Sequence, residues 1–457
     1  MWRIFGHYIS KILFLTILGD LVVLLGSVAI VRGWAGGMAE SAIYPKITLL
    51  VVVTMMLFYL ADLYDFEVRY RRGELCLRAG LASLISAGLI AAIGYGLPWL
   101  GFSRIEFLSI VSLSTLGLNA FRITIDCLSS NQHLQKRVLV LGAGVASVIL
   151  SYGGPNGSLP FKILGFLDDD PLAYDQMPPG CNLLGKAKEL LSMVERLRPD
   201  LLVVGLTNMR GNFPVEDILE CRFRGVRIEE WTTFYEKLTG KIFVSTLRPS
   251  WLIFSNGTVT NRLTETVQRV LDITFAIAGL LLSAPFMVLA AACIKLDSTG
   301  PILFRQERVG KHGKVFTLYK FRSMQVDAES LTGPVWARVR DPRVTRVGWI
   351  LRKIRLDETP QLFNVLVGKM SFIGPRPERP IFVSQLKEQI PFYALRSSVK
   401  PGITGWAQVK YPYGSTVSDA LEKLQYDLYY VKNFSVFLDL IILFNTIRVI
   451  LFGRGAR

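Results

Sequence analysis

Between Ile12 and Cys127 the chain returns four times to long apolar stretches: Ile12–Val31, Ile47–Leu63, Leu77–Leu97 and Phe107–Cys127. Each approaches the roughly 20 residues that a helix needs to cross a bilayer. Four such segments in the first quarter restrict the chain to a fold built around a membrane; a buried soluble helical core is the disfavoured alternative. The first stretch has no small-residue cleavage site behind a short apolar core, so it reads as an anchor and not a signal peptide. Arg3 and Lys11 precede the first stretch, Arg69, Arg71, Arg72 and Arg78 surround the second loop, and Lys136 and Arg137 follow the fourth. The other two loops offer Arg32, Lys46 and Arg104. That asymmetry points both ends of the bundle, residues 1–130, to the cytoplasm.

The 457 residues are 51% hydrophobic yet carry a net charge of +16. A membrane protein with basic surfaces facing anionic headgroups and phosphorylated substrates combines the two properties easily. Nucleic acid is the rival partner for such charge, but no nucleic-acid-binding motif accompanies it. The five cysteines are scattered with no CxxC pair, which excludes a disulfide framework or thiolate metal site as the organising feature. With only three histidines, His7, His133 and His312, the chemistry must rest on carboxylates and cations.

A second character begins near residue 136 and runs to about 246. Arg137-Val-Leu-Val-Leu141 is a buried-strand pattern, followed by Gly142-Ala-Gly144-Val-Ala-Ser147. This looks like a dinucleotide-binding turn with Ser147 in place of a third glycine. Further apolar runs at Ile163–Leu167, ending in Asp168-Asp169-Asp170, and at Leu201–Gly205 imply a parallel sheet. A lone degenerate Gly-x-Gly, with no Tyr-x-x-x-Lys pair nearby, favours a scaffold or dimerisation role over bound NAD(P). Residues 247–264 read as a linker, with Pro249 and Asn256-Gly257.

Ile273–Ile294 then contains no charge, but Ser283-Ala-Pro285 sits in its middle. Proline removes a helical hydrogen bond and clashes with the preceding turn, so a kink or break is expected. A proline-kinked spanning helix is one reading. Basic flanks on both sides, Arg262 and Arg269 before and Lys295, Arg305 and Arg308 after, favour a re-entrant helix–break–helix over residues 268–296. A full span would also move everything downstream out of the cytoplasm.

Residues 301–380 hold sixteen Lys and Arg against seven Asp and Glu. Among them, Leu351-Arg-Lys-Ile-Arg-Leu-Asp357-Glu358-Thr-Pro360 is the most informative run. Pro360 belongs near a helix start, which offers Asp357 an ordinary place as N-cap. The same position, beside Arg352 and Arg355, suits an ionised carboxylate that meets phosphate. Adjacent carboxylates project about 100° apart on a helix and suit divided labour, one attacking phosphorus and one holding Mg²⁺. Two glycine–proline loops follow, Gly374-Pro-Arg376-Pro-Glu378 and Lys400-Pro-Gly402-Ile-Thr-Gly405-Trp406-Ala-Gln408. Upstream, Tyr319-Lys320-Phe-Arg322 alternates cationic and apolar residues on an expected strand.

From Arg269 onward the chain resembles the bacterial sugar transferases called monotopic phosphoglycosyl transferases. The resemblance is carried by the apolar segment with Pro285, Ile294-Lys-Leu-Asp-Ser-Thr-Gly-Pro301, Phe304-Arg-Gln-Glu-Arg-Val-Gly310, Lys320-Phe-Arg322, Asp357-Glu358 and the two glycine–proline loops. The preceding bundle and α/β segment look like the large subfamily that starts exopolysaccharide, capsule or O-antigen units. The resemblance implies a membrane helical bundle, a Rossmann-like α/β domain and an α-rich monotopic catalytic domain over 265–457. It further implies that Asp357 attacks the β-phosphate of a UDP-sugar, releases UMP and passes the phosphosugar to undecaprenyl phosphate. Glu358, with Asp357, would bind Mg²⁺, while Lys320, Arg322, Arg352 and Arg376 would bind phosphates. Ser283 and Pro285 would mark the membrane break, and a homodimer in the bacterial inner membrane with its catalytic domain on the cytoplasmic face is expected. The apolar tail near Phe437–Phe452, interrupted by Asp439 and Arg448, suits an interfacial helix. The rivals are a direct glycosyltransferase releasing UDP, a membrane-bound NAD-dependent dehydratase or epimerase, and a non-enzymatic assembly or sensor protein.

Overall fold

The computed structural model describes residues 2–4, 7–9, 11–34, 43–64, 72–130, 135–145, 161–170, 182–205, 213–244, 247, 262–326, 328, 341–412, 414 and 416–452. Ser147 and residues 248–261 of the expected linker lie outside them. The chain divides into two compact units, residues 1–2 with 9–234 and residues 3–8 with 235–457. Sequence character changes at 246/247, but the contacts divide the chain earlier, within the helix Trp231–Thr239. Ile242 and Val244, 4% and 3% exposed, belong to the core of the second unit.

In the first unit the apolar stretches form α1 (Lys11–Trp34), α2 (Ile43–Leu60), α3 (Arg72–Gly96) and α4 (Arg104–Ser130). All four are long and apolar enough to cross a membrane, and a fifth such helix lies in the second unit, so this is an integral membrane protein. Leucines such as Leu77, Leu84 and Leu116 are exposed on the outside, as a lipid-facing surface requires. Inside, Arg122 of α4 pairs with Asp20 of α1 and donates to the Leu63 carbonyl just beyond α2. Tyr64 donates to the same Asp20 carboxylate at 2.8 Å.

Five parallel strands follow, β1 (Lys136–Leu141), β2 (Phe161–Leu167), β3 (Leu183–Gly185), β4 (Leu201–Val204) and β5 (Arg227–Glu230), in the order β3-β2-β1-β4-β5. Val138–Leu141 are fully buried, as an unbroken apolar run between covered faces should be. The glycine turn after β1 is engaged internally: the Ala143 amide donates to the Asp168 carboxylate at 2.6 Å.

The second unit opens with α5 (Arg262–Asp297), a single helix of 36 residues with Pro285 inside it. This corrects the expectation of two helices joined by a break. Pro285 removes one donor, yet the helix continues on both sides, and the Ser283 hydroxyl bonds back to the Gly279 carbonyl at 2.6 Å. Residues Leu281, Leu282, Phe286, Val288 and Leu289 are exposed. Closer to its ends, α5 buries Ala276 among Phe316, Leu318, Leu362 and Val365, and Ile294 beside Phe321 and Leu351. The antiparallel hairpin β6 (Leu303–Val309) and β7 (Val315–Phe321) follows, then α6 (Arg346–Lys353) and α7 (Gln361–Leu366). Next come the parallel pair β8 (Ser371–Ile373) and β9 (Gly402–Thr404), α8 (Val417–Lys432) and α9 (Val436–Phe452). Helix α9 turns Leu438 and Ile442 into the core while Leu440, Phe444 and Ile450 stay exposed.

Candidate active site

On β7 successive side chains alternate between faces, so Phe316, Leu318 and Lys320 share one. Phe316 and Leu318 are core residues, which forces the Lys320 ammonium toward the interior as well. It is met there by Glu358, whose Oε1 accepts from Lys320 Nζ at 2.8 Å. Asn364 of α7 holds the strand in place, donating to the Thr317 carbonyl at 2.8 Å and accepting from the Tyr319 amide at 3.2 Å.

The carboxylate pair lies on a 3₁₀ turn, Leu356–Glu358, between α6 and α7. Arg355 immediately before it adopts φ 57°, a left-handed conformation that a non-glycine residue takes at some cost. The N-cap place that the sequence offers Asp357 is not taken. Pro360 is the residue preceding α7, and no side chain caps that helix.

Arg376 arrives from the glycine–proline loop. Two such motifs occur because their backbones touch: a Cβ on Gly402 would lie 2.1 Å from the Gly374 nitrogen, and one on Gly374 would lie 2.4 Å from the Lys400 carbonyl oxygen. Gly374 N donates to the Thr404 carbonyl at 2.8 Å, and Gly402 N donates to the Pro375 carbonyl at 3.0 Å. The loop so fixed delivers Arg376 Nη2 to Glu358 Oε1 at 2.8 Å. Arg396 steadies the same loop by donating to the Arg376 carbonyl at 3.0 Å, itself held by Asp427 at 2.7 Å.

The two carboxylates are thereby made unequal. Burial alone would raise Glu358, but the Lys320 and Arg376 cations override it and hold its carboxyl well below the usual range. Asp357 is 7% exposed, and among the described residues no hydrogen bond or ion pair engages its carboxylate. Burial and then the neighbouring Glu358 charge raise it above the ordinary carboxylate value, against the pull of Lys320, Arg352 and Arg376. The result is a constitutive anion beside a more basic carboxylate that faces cations without being tied to them.

Of the residues singled out in the sequence, Asp357, Glu358, Lys320 and Arg376 come together, with Arg352 in electrostatic reach from the last turn of α6. Arg322 is directed elsewhere: 5% exposed, it donates to the Ser298 and Thr299 carbonyls at 2.8 and 2.7 Å and so locks the turn leaving α5. Ser283 and Pro285 remain on α5. Sequence reasoning missed Asn364, Arg396 and Asp427. Asp427 left a usable signal, since it occupies the inward face of α8 that Leu424, Leu428 and Val431 define, where an acid needs a partner.

Among the described residues no group of three or more His, Cys, Asp or Glu side chains is placed to hold a metal by itself. Glu358, whose Oε2 also lies 3.7 Å from Arg355 Nη1, and the unengaged Asp357 carboxylate nevertheless suit Mg²⁺, which characteristically takes one or two carboxylates and completes its shell with substrate phosphates.

Residues 263–453 match the family described as bacterial sugar transferase. The exopolysaccharide production protein PSS of Rhizobium leguminosarum bv. phaseoli is 42% identical over 186 residues, 40% of this chain and 93% of that protein. The chain belongs to the bacterial sugar transferase family. All the site residues named above lie inside the matched segment, whereas α1–α4 and the five-stranded sheet precede it. The UDP-N-acetylgalactosamine-undecaprenyl-phosphate N-acetylgalactosaminephosphotransferase of Aeromonas hydrophila is 43% identical over 240 residues, 52% of this chain and 56% of that protein. The undecaprenyl-phosphate glucose phosphotransferase of Komagataeibacter xylinus is 33% identical over 334 residues, 71% of this chain and 61% of that protein. The matched region thus spans little more than half the length of these two sugar transferases.

Proposed function

We propose that the second unit transfers a sugar 1-phosphate from a UDP-sugar to undecaprenyl phosphate in two displacements on Asp357. The observation that carries this reading is the inequality of the carboxylate pair: Glu358 is engaged by Lys320 and Arg376, while the buried Asp357 carboxylate has no hydrogen bond among the described residues. In the first displacement an Asp357 oxygen bonds to the β-phosphorus, the bond from that phosphorus to the bridging oxygen breaks, and UMP leaves. In the second, a phosphate oxygen of the lipid bonds to the same phosphorus and returns the Asp357 carboxylate. A carboxylate nucleophile splits one hard transfer into two. Lys320, Arg352 and Arg376 offset the phosphate charge. Glu358 and Asp357 would hold Mg²⁺, which when bound supplies further charge neutralisation on the phosphates.

The membrane arrangement follows the same reading. The exposed apolar middle of helix α5 would lie in the bilayer, while both flanks pack into the second unit and would so keep that unit on one face of the membrane. The catalytic unit then stays on the cytoplasmic face of the bacterial inner membrane, where nucleotide sugars are supplied. The five-stranded domain is taken as a Rossmann-like scaffold, its turn amide already bonded to Asp168, with a role in homodimer formation.

The relatives' names make UDP-glucose and UDP-N-acetylgalactosamine the first substrates to try. With ³²P in the β-position, the label should appear on Asp357 before lipid is added, and UMP should be the nucleotide released. Release of UDP instead would mean direct glycosyl transfer and would overturn the covalent step.

A further inference from the structure

We propose that Arg269 and Asp272, one turn apart on α5, are positioning residues through which the membrane helix sets both arms of the transferase site. Arg269 donates from Nη1 to the Val365 carbonyl and from Nη2 to the Leu366 carbonyl, each at 2.6 Å. These are the last carbonyls of α7, the helix that begins three residues after Glu358. The Val365 carbonyl also accepts from the Gly368 amide at 2.9 Å, so the cation adds a partner for the Leu366 carbonyl and complements the helix dipole. Gly368, at φ +82°, turns the chain beneath the guanidinium; a Cβ there would lie 3.4 Å from Arg269 Nη2. Asp272, 4% exposed, accepts from the Phe372 amide at 2.7 Å and from Ser371 Oγ at 2.9 Å. Those residues form β8, which leads through Gly374 into Arg376.

Residues three apart share a helix face, so one turn of α5 grips the carboxylate arm and the Arg376 arm together. Apolar packing already attaches α5 here, with Ala276 and Leu362 in one core cluster. What the charged pair adds is direction. Its hydrogen bonds fix backbone atoms at both arms, and a misplacement of about 1 Å at a reacting centre costs on the order of 100-fold in rate.

The proposal rests on the transferase reading, so the test uses the full chain in lipid nanodiscs with radiolabelled UDP-sugar and undecaprenyl phosphate. Arg269→Gln and Asp272→Asn should each lower kcat about 10- to 100-fold. KM for the UDP-sugar should stay within about threefold, since phosphate contacts survive. Arg269→Lys, which keeps a cation at the α7 carbonyls, should recover part of the loss, and Thr274→Ala on the exposed side of α5 should change nothing. If Asp272→Asn fails to fold, Ser371→Ala removes one donor alone and should still lower kcat a few-fold. An unchanged kcat in the folded variants, or a loss confined to KM, overturns the positioning role. A wild-type chain that releases no UMP, or a fully active Asp357→Asn variant, overturns the transferase reading instead.

Discussion

Both units bury charge, and they resolve it in opposite ways. In the bundle Arg122 meets Asp20, the Leu63 carbonyl and the faces of Phe58 and Tyr64, at 5.4 and 4.8 Å, so its charge is cancelled where it lies. In the candidate site two adjacent carboxylates share four nearby cations, Lys320, Arg352, Arg355 and Arg376, and one carboxylate takes the hydrogen bonds. A paired buried charge holds structure together. A buried charge left unengaged is a cost to the fold that is available to chemistry.

The largest expected effect separates those two roles. Asp357→Asn should lower UMP release by at least about 1000-fold, as loss of a nucleophile does. It should also raise the unfolding midpoint at neutral pH. The Asp357 acid is raised in the folded state, so folding holds its proton more tightly, and stability falls as pH climbs from 3.8 through the folded value. Amide at this position removes that penalty. A lower midpoint would place Asp357 with Asp20 as a structural acid.

Breaking the bundle pair should act on stability alone. Arg122→Leu leaves Asp20 buried and uncompensated, at a cost of about 3 kcal/mol. The double variant Asp20→Leu with Arg122→Leu should regain most of it in a thermal-unfolding cycle, whereas a purely additive loss would deny the pairing.

Glu358→Gln should destabilise by about 2 kcal/mol, less than a fully buried pair because Arg376 is 37% exposed. Its sign is opposite to that of Asp357→Asn. The Glu358 acid is depressed on folding, so its contribution is fully present above 4.5 and disappears as pH falls through the folded value. A stabilising Glu358→Gln would erase the distinction between the two acids.

The smallest effect lies in the pH profile. The acid limb of the first half-reaction should fall above 3.8, because the raised Asp357 must be ionised to attack. Glu358→Ala should move that limb down, since the neighbouring charge that helps raise Asp357 is gone. An acid limb at or below 3.8 in the wild type would mean that Asp357 is not perturbed.

Much of this was legible in the linear chain. The four apolar stretches became α1–α4 with ends shifted by a few residues, because hydrocarbon burial depends on composition over a long window and not on any partner. Val138–Leu141 announced a buried strand for the same reason. Asp357 and Glu358 could be singled out from their motif, and the resemblance implied a division of roles between them, but the residues alone did not show which carboxylate stays unengaged. A helix N-cap and an acid in a cationic site begin from identical sequence context, and only the contacts that Glu358 makes across 38 residues to Lys320 and 18 to Arg376 show which surroundings the pair has.

Arg322 and Lys320 make the same point at closer range. Two residues apart on β7 and its exit, both were expected at phosphate, yet one reaches Glu358 and the other locks the turn after α5. Local pattern determines which segments seek lipid, which strands are covered and which residue types can perform the chemistry, since those depend on neighbours along the chain. The helix through Pro285, the grip of Arg269 and Asp272, and the choice of which carboxylate stays unengaged were decided by tertiary structure. They depend on where distant donors arrive, and a hydrogen bond has no counterpart in sequence distance.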